Sequence, residues 1–332
     1  MFKKFSFHSK KKNVSGKTFL IIELILIAMI ALVLFFLLYG NRSDEKKKVA
    51  VIIENSDDEK WTGFLLGIKK AAQDKNLDID LISSNHIDSV QKAENLLDEA
   101  VSAGDKAAIM TGENFDLSPL KKKYERKIPI ILARSGNEGK GSFTEVKCDN
   151  YALGKALGDE IKKDLDGSPD AETAGILTGD RGTEAAEERL KGLSDSLKDS
   201  NINVLWSLDN RQIDDNSNEV LRVQRSVDIM IGLDTFSLNK AGELVTESTS
   251  AKAMIYGIGN SLDLLTYIDE GCFFCLVAPD EFGIGYRSLL KVWERLNEAF
   301  PDKDDEILSY KVLRKENLFD SDNSEIFRYL LQ

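Results

Sequence analysis

The stretch GSFTEVKCDNYALGKALGDEIKKDL, residues 141–165, decides the fold class of this chain. Its first eight residues form a short β-type run, and residues 150–165 place small and apolar side chains at helical spacing. A strand that passes directly into an amphipathic helix is one half of a βαβ unit. Asp149 stands between the two segments, where a helix N-cap is expected.

The same alternation continues on both sides of this unit. Compact apolar runs such as KKVAVIIE and KIPIILAR are separated by helical patterns, and ILSYKVLR closes the series as one strand. Such alternation predicts an α/β protein whose parallel sheets carry helices on both faces. Roughly ten strands are too many for one such sheet in a compact domain, so we expect two Rossmann-like lobes.

An apolar run precedes this region. Residues 19–39, FLIIELILIAMIALVLFFLLY, are long enough at about 1.5 Å per residue to cross a hydrocarbon core of about 30 Å. Lysines lie before the run, so we expect residues 1–18 to be a cytoplasmic basic tail, 19–39 a transmembrane helix and 40–47 a stalk. The chain would then be a single-pass protein of the cell membrane with an extracytoplasmic C-terminal domain. A cleaved signal peptide is the alternative, but its apolar region would be shorter and would end in small residues.

The charge balance excludes several classes of partner. The formal net charge is −12, and residues 43–332 alone hold 37 basic and 55 acidic side chains, a net charge of −18. A region this acidic is repelled by phosphate backbones and by anionic lipid head groups. We therefore expect neither nucleic-acid binding nor peripheral membrane binding.

Three cysteines are too few for a disulfide framework. Cys272 and Cys275 form a C-x-x-C, but no second such pair is present to complete a zinc site. The surrounding GCFFCLVAP is typical of a strand, on which the two Cα atoms would lie about 10 Å apart and beyond disulfide reach. The interpretation that follows is two buried structural thiols.

Catalytic motifs are missing from the sequence. No phosphate-binding loop, complete dinucleotide fingerprint, G-x-S-x-G elbow or H-E-x-x-H is present. His86 is the sole histidine after the apolar run, in the loop-like SSNHIDS, so a histidine-dependent mechanism would depend on this one residue. We expect a binding protein that uses no cofactor and no metal, rather than an enzyme.

Several local motifs resemble the type I periplasmic binding proteins, the ribose- and galactose-like sugar receptors that share their fold with the ligand-binding core of lactose-repressor-type regulators. VAVIIENSDDEKW is similar to the first strand and loop of that family, and VKCDNYALGKALGDEI to its first lobe crossover. EERLKGLSDSL and VDIMIGLDTFSLNKAGEL also resemble family segments. The resemblance extends from about Lys47 to Leu318.

The resemblance implies how the two lobes divide the chain. The N-terminal lobe would comprise residues 48–147 and 279–303, and the C-terminal lobe residues 148–278 and 304–332. The chain would cross between the lobes three times, at places that act as the hinge. These places are near Cys148, at residues 277–279 and at residues 301–307.

The resemblance also implies a set of ligand contacts. The six positions are Asp58, Trp61, Arg134, Asp149, Arg189 and Asp234. Three of them have ordinary structural alternatives: Trp61 could pack against a lobe edge, Asp149 could be a helix N-cap, and Arg189 could pair on the helix surface with Glu184 or Glu187.

The chain departs from the family pattern at several positions. Ala133 stands where an Asp is frequent, and Leu233 replaces a frequent Asn. Gly259 and Pro279 replace other polar residues. Groups that would bind sugar hydroxyls are therefore missing, while Arg134 and Arg189 would offer one guanidinium from each lobe. Two guanidinium groups suit carboxylate or phosphate oxygens, which predicts an acidic or phosphorylated sugar as one alternative ligand.

Two functions follow as hypotheses. The first is a membrane-anchored solute receptor that closes on a small sugar-like ligand and presents it to an ABC transporter permease or a sensor histidine kinase. The alternative is an anchored carbohydrate-modifying enzyme, which would need two carboxyl groups about 5–10 Å apart around a scissile bond. A transcription regulator of the same fold is disfavoured, because an apolar segment occupies the place of a DNA-binding helix-turn-helix.

Overall fold

The computed structural model describes the chain in nine segments. These are residues 16–39, 46–56, 59–85, 87–111, 117–134, 143–166, 172–213, 219–247 and 253–323. The chain forms two compact units, Met1–Lys46 and Lys47–Gln332.

Helix α1 (Gly16–Tyr39) covers the apolar run and belongs to the first unit. The large apolar side chains that are described within residues 20–21 and 24–33 are at least half exposed. No helix in the described part of the chain combines the length and the apolar character that crossing a membrane requires.

The second unit contains two six-stranded sheets, and the first of them is parallel throughout. In space its strands follow the order β11-β5-β4-β3-β1-β2. Numbered along the chain, they are β1 (Lys48–Glu54), β2 (Asp78–Ser84), β3 (Ala107–Thr111), β4 (Ile130–Ala133), β5 (Thr144–Cys148) and β11 (Glu306–Leu308). The central strands β1, β3 and β4 are buried along nearly their whole length, which is why they show continuous apolar runs rather than alternation.

Four helices cover this sheet and complete the N-terminal lobe. They are α2 (Thr62–Lys75), α3 (Val90–Ser102), α4 (Ser118–Tyr124) and α10 (Glu281–Asn297). Helices α2 and α10 approach each other closely because glycines lie at their contact. A Cβ on Gly67 would lie 2.8 Å from the backbone nitrogen of Tyr286, and one on Gly285 would lie 2.9 Å from the carbonyl carbon of Phe64.

The second sheet has the order β12-β10-β9-β8-β6-β7, and β12 alone among its strands runs antiparallel to its neighbour. Its strands are β6 (Glu172–Leu177), β7 (Ile202–Leu208), β8 (Ile229–Gly232), β9 (Met254–Ile258), β10 (Phe273–Pro279) and β12 (Tyr310–Leu313). The helices of this C-terminal lobe are α5 (Asn150–Asp164), α6 (Glu184–Leu197), α7 (Glu219–Arg222), α8 (Thr235–Glu247) and α9 (Leu262–Asp269). The expected α/β architecture of two lobes with parallel sheets is therefore confirmed.

The chain passes between the sheets at three places. It leaves the first sheet after Cys148, returns after Pro279 through α10, and crosses again at Ser309 between β11 and β12. The three crossovers lie side by side, because the carbonyl of Ser309 accepts from the Asp280 amide at 3.4 Å and from the Cys148 thiol at 3.6 Å.

The third crossover differs from the expectation. The segment ILSYKVLR is two strands in different sheets, since Glu306–Leu308 pairs with β5 while Tyr310–Leu313 pairs with β10. Residues 306–308 thus lie in the first sheet, although residues 304–332 were expected in the C-terminal lobe. An apolar β-type run specifies an extended backbone but not its pairing partner, so the sequence pattern could not locate this crossing.

GCFFCLVAP contains β10 as predicted, and Cys275 is buried on that strand. The expectation of two buried thiols is wrong for Cys272, because this residue lies just before the strand and is partly exposed. All three thiols are free. Burial raises the pKa of the Cys148 and Cys275 thiols to about 12, so both stay protonated and unreactive at neutral pH.

Candidate functional site

The candidate site begins where β4 ends. Arg134 follows the last residue of this strand, and its amide donates to the carbonyl of Val146 on β5 at 3.0 Å. Its φ is 56°, in the left-handed region that non-glycine residues rarely adopt. Such conformations cost free energy and cluster at functional sites.

The side chain of Arg134 links two buried groups. Its Cζ lies 4.8 Å from the centre of the Trp61 ring, and its Nε lies 3.2 Å from Oε2 of Glu281. Trp61 ends a 3₁₀ turn (Glu59–Trp61) that leads into α2, and its ring also contacts Phe64 edge-on. The predicted contacts Trp61 and Arg134 are thus brought together, with the aromatic face against the guanidinium.

Glu281 is the residue that the sequence did not single out. It opens α10, directly after the second crossover, and is 6% exposed. Burial raises the pKa of its carboxyl, and the guanidinium groups of Arg134 and Arg189 oppose that rise. An acidic residue in the first turn of a helix is common, because its negative charge interacts favourably with the helix dipole. Only the burial of Glu281 is therefore unusual.

Arg189 extends the site into the C-terminal lobe. From α6 it donates to Oδ1 of Asn150 at 2.8 Å and to the carbonyl of Leu233 at 2.9 Å, so its partners come from neighbouring segments of the lobe. Burial lowers its pKa, as does the positive charge of Arg134, while Asp234 and Glu281 oppose this effect. The two arginines therefore belong to different lobes, and the positive charge of Arg134 acts on Arg189.

Two predicted aspartates serve as helix caps. Asp149 is exposed and accepts from the amide of Ala152 at 2.8 Å, so it is the N-cap of α5 that the alternative interpretation expected. Asp234 accepts from the amide of Ser237 at 2.7 Å at the start of α8, and from Nδ2 of Asn210 at 2.8 Å. Asp234 still contributes negative charge beside Arg189, whereas Asp149 has no such relation in the described residues.

Two further residues lie outside the described part of the chain. Asp58, the sixth predicted contact, and His86 are both in this position. The cleft cluster is therefore defined here as Trp61, Arg134, Arg189, Asp234 and Glu281.

The departures from the family pattern have steric consequences. Ala133 is fully buried in the core of the first lobe. A Cβ on Gly259 would lie 2.7 Å from a methyl carbon of Leu264 and 3.0 Å from the Thr235 hydroxyl, so a polar side chain does not fit there without rearrangement. Ala133 has no carboxylate to pair with Arg134, and Glu281 provides one instead.

A cavity of ≈ 330 Å³ lies beside the crossovers rather than at the cleft cluster. Its lining includes Gly63 and Phe282 from the N-terminal lobe, Asn260 from the C-terminal lobe, and Ser309 at the third crossover. No member of the cleft cluster lines it. The cleft cluster is the candidate ligand site, because buried charges from both lobes are combined there.

Comparisons with known proteins agree with this architecture. No curated protein sequence matches the chain. A carbohydrate transporter solute-binding protein from Agrobacterium radiobacter, crystallised with D-arabinose, is 17% identical with a TM-score of 0.74, and the match covers 86% of this chain and 99% of that one. A glucose-galactose binding protein, GanP from Geobacillus stearothermophilus, is 18% identical with a TM-score of 0.69, covering 83% and 100% of the two chains.

The XylFII-LytSN complex provides a third structural match. It is 17% identical with a TM-score of 0.70, and covers 82% of this chain and 98% of that one. At these identities the likeness concerns the fold alone. A family model described as periplasmic binding protein domain matches residues 49–298, well over half of the sequence. The chain therefore belongs to the periplasmic binding protein family.

Proposed function

We propose that this protein is an extracytoplasmic receptor that closes on a small sugar and does not transform it. The observation that carries the proposal is the cleft cluster, in which Arg134 of one lobe and Arg189 of the other lie within electrostatic reach of the buried Glu281. A ligand that contacts both lobes favours the closed form by its differential affinity for that form. D-arabinose in one structural relative, and glucose and galactose in the name of another, support a pentose or hexose as ligand.

The three crossovers after Cys148, after Pro279 and at Ser309 are the proposed hinge. Each consists of a single residue between elements that belong to different lobes. Hinges of this kind absorb the backbone rotation of closure in a few residues at element ends.

A membrane anchor is the second part of the proposal. The apolar run at residues 19–39 and the lysines before it support a single-pass helix with the two lobes outside the cytoplasm. A short stalk would hold the receptor close to a partner in the same membrane. That partner is either the permease of an ABC-type importer or the extracytoplasmic part of a sensor histidine kinase. The relative described as a transporter protein supports the first, and the XylFII-LytSN complex supports a receptor that binds another protein.

The test is a ligand screen on the detergent-solubilised full chain, with thermal unfolding followed by intrinsic fluorescence. Ligand at 100 times its Kd adds about 2.7 kcal/mol of stability, which raises the Tm of a domain this large by several degrees. D-arabinose, D-glucose and D-galactose are the first probes.

Two variants identify the site. Arg189→Ala removes a guanidinium of the cleft cluster and should abolish the shift. Lys198→Ala removes an exposed cation at the end of the same helix and should preserve it. The proposal fails if no pentose or hexose stabilises the parent, or if Arg189→Ala binds as tightly as the parent.

A further inference from the structure

The charges of the cleft cluster compensate one another. Arg134 is paired with Glu281, and the positive charge of Arg189 is offset by Asp234 and Glu281. Two cations and two anions therefore meet in one partly buried region. A ligand that carried its own negative charge would lose its water and gain no net opposite charge in return.

Two buried polar atoms of the cluster make no hydrogen bond with the described residues. They are Nε1 of Trp61, a donor, and Oε2 of Glu281, an acceptor that Arg134 contacts as an ion pair, with its Nε at 3.2 Å, without a hydrogen bond. Their residues are 2% and 6% exposed, and both border the guanidinium of Arg134. A buried donor without a partner costs about 1–3 kcal/mol, and a carboxylate oxygen can accept a hydrogen bond beside its ion pair, so a ligand that satisfies both atoms gains affinity.

The chemistry of these two atoms selects the group that satisfies them. A hydroxyl donates one hydrogen bond and accepts others, so neutral hydroxyl groups can serve both Glu281 and Trp61. A carboxylate or phosphate dianion only accepts. It could serve Trp61, but its oxygens would face the carboxylate of Glu281 and be repelled.

We propose that Glu281 is a specificity-determining residue, which makes the cleft accept neutral hydroxyl-bearing ligands and reject their acidic counterparts. This inference rests on the proposed function, because it concerns the ligand of the same site. It also reverses the expectation of an acidic ligand that the two arginines suggest by themselves.

The experiment compares matched neutral and acidic sugars on the full-length chain: D-galactose with D-galacturonate, and D-glucose with D-glucuronate. The parent should be stabilised by a neutral sugar and not by its acid at the same concentration. Glu281→Gln keeps the shape and removes the charge, so the ratio of neutral to acidic affinity should fall by about ten- to a hundredfold, the effect of one hydrogen bond to a charged group. Glu298→Gln removes one charge from an exposed residue at the other end of the same helix and should leave the ratio unchanged.

Inorganic phosphate supplies a readout that does not require sugar binding. It should stabilise Glu281→Gln more than the parent or Glu298→Gln. Absence of any sugar effect on the parent would contradict the proposed function, and the phosphate comparison would still decide the role of Glu281. The inference is overturned if the parent binds an acid as tightly as its neutral sugar, a measurement that needs no variant. Equal phosphate responses of Glu281→Gln and Glu298→Gln would overturn it as well.

Discussion

Replacing Gly67 by alanine should destabilise the N-terminal lobe. A Cβ at this position would lie 2.8 Å from the backbone nitrogen of Tyr286 and 3.0 Å from the carbonyl carbon of Phe282. The carbonyl oxygen of Phe282 would lie closer still. Ordinary contacts between such atoms are about 3.5–4.0 Å, so α2 and α10 would have to separate by at least about 1 Å. All three contacts are backbone atoms, which cannot rotate away as a side chain can.

The expected magnitude is the difference of two effects. Overpacking of this kind costs about 1–3 kcal/mol, and alanine gains about 1 kcal/mol over glycine inside a helix. The difference lies between 0 and about 2 kcal/mol, and because rigid backbone atoms are in contact we expect a loss near 2 kcal/mol, equivalent to roughly 4–8 °C in Tm. Because Glu281 opens α10 and Trp61 immediately precedes α2, separation of these helices should also weaken sugar binding.

Gly63→Ala is the matched control, since Gly63 lies one turn earlier in α2 and faces the same helix. Its Cβ would lie 3.1 Å from Cβ of Glu281 and 3.6 Å or more from the next atoms, so the helix-propensity gain should offset most of the crowding. Thermal and urea unfolding of the parent and the two variants test the ranking. If Gly67→Ala is as stable as the parent, or Gly63→Ala is the less stable variant, the described helix contact is wrong.

Three further predictions concern single groups. Burial raises the pKa of Tyr124 to about 12 in the folded protein, whereas the unfolded chain ionises near pH 10. The neutral phenol therefore contributes to the free energy of unfolding below about pH 10. This contribution, about 1–2 kcal/mol, is lost as the pH rises towards 12. Tyr124→Phe should therefore lose less stability over this range in urea unfolding, and an identical pH profile would contradict the assignment. Maleimide labelling of the native protein should modify the partly exposed Cys272 first and leave the buried Cys148 and Cys275 unmodified until unfolding; rapid labelling of all three would refute their structural role. Intact-mass analysis of the membrane fraction should find the N-terminal lysines of residues 1–18 still attached, and a mature form that begins after residue 39 would rule out the anchor.

The architecture was predictable because it follows from the pattern of apolar residues along the chain. The continuous apolar runs of β1, β3 and β4 correspond to strands buried on both faces, and helical patterns of the expected length lie between them. The exception is ILSYKVLR, which pairs with both sheets. The periodicity of apolar residues reflects the burial and backbone conformation of each residue. It does not change where the chain passes from one sheet to the other at Ser309.

The candidate site was only partly predictable. Trp61 lies against Arg134, and the charge of Arg134 acts on Arg189, while Asp149 is the N-cap of α5. The roles of these residues as ligand contacts stay predictions. Glu281 illustrates the opposite case. Its position in the first turn of a helix is so common that only the three-dimensional packing reveals a buried carboxylate beside a guanidinium.

The packing of the two lobes suits the proposed hinge motion. Helices α5 and α10 each begin directly after a crossover, and each is held to its own lobe through glycine contacts that bring backbones together. A Cβ on Gly154 would lie 2.7 Å from the carbonyl carbon of Arg189, which fixes α5 against α6, just as Gly67 and Gly285 fix α10 against α2. Motion is thereby confined to the short crossovers themselves, where few bonds, such as those to the carbonyl of Ser309, must adjust. Because Glu281 and Arg189 lie on helices anchored in different lobes, a small hinge rotation changes the distance between them directly. A ligand that stabilises one value of this distance therefore selects one hinge angle, which is the conformation that a partner protein would recognise.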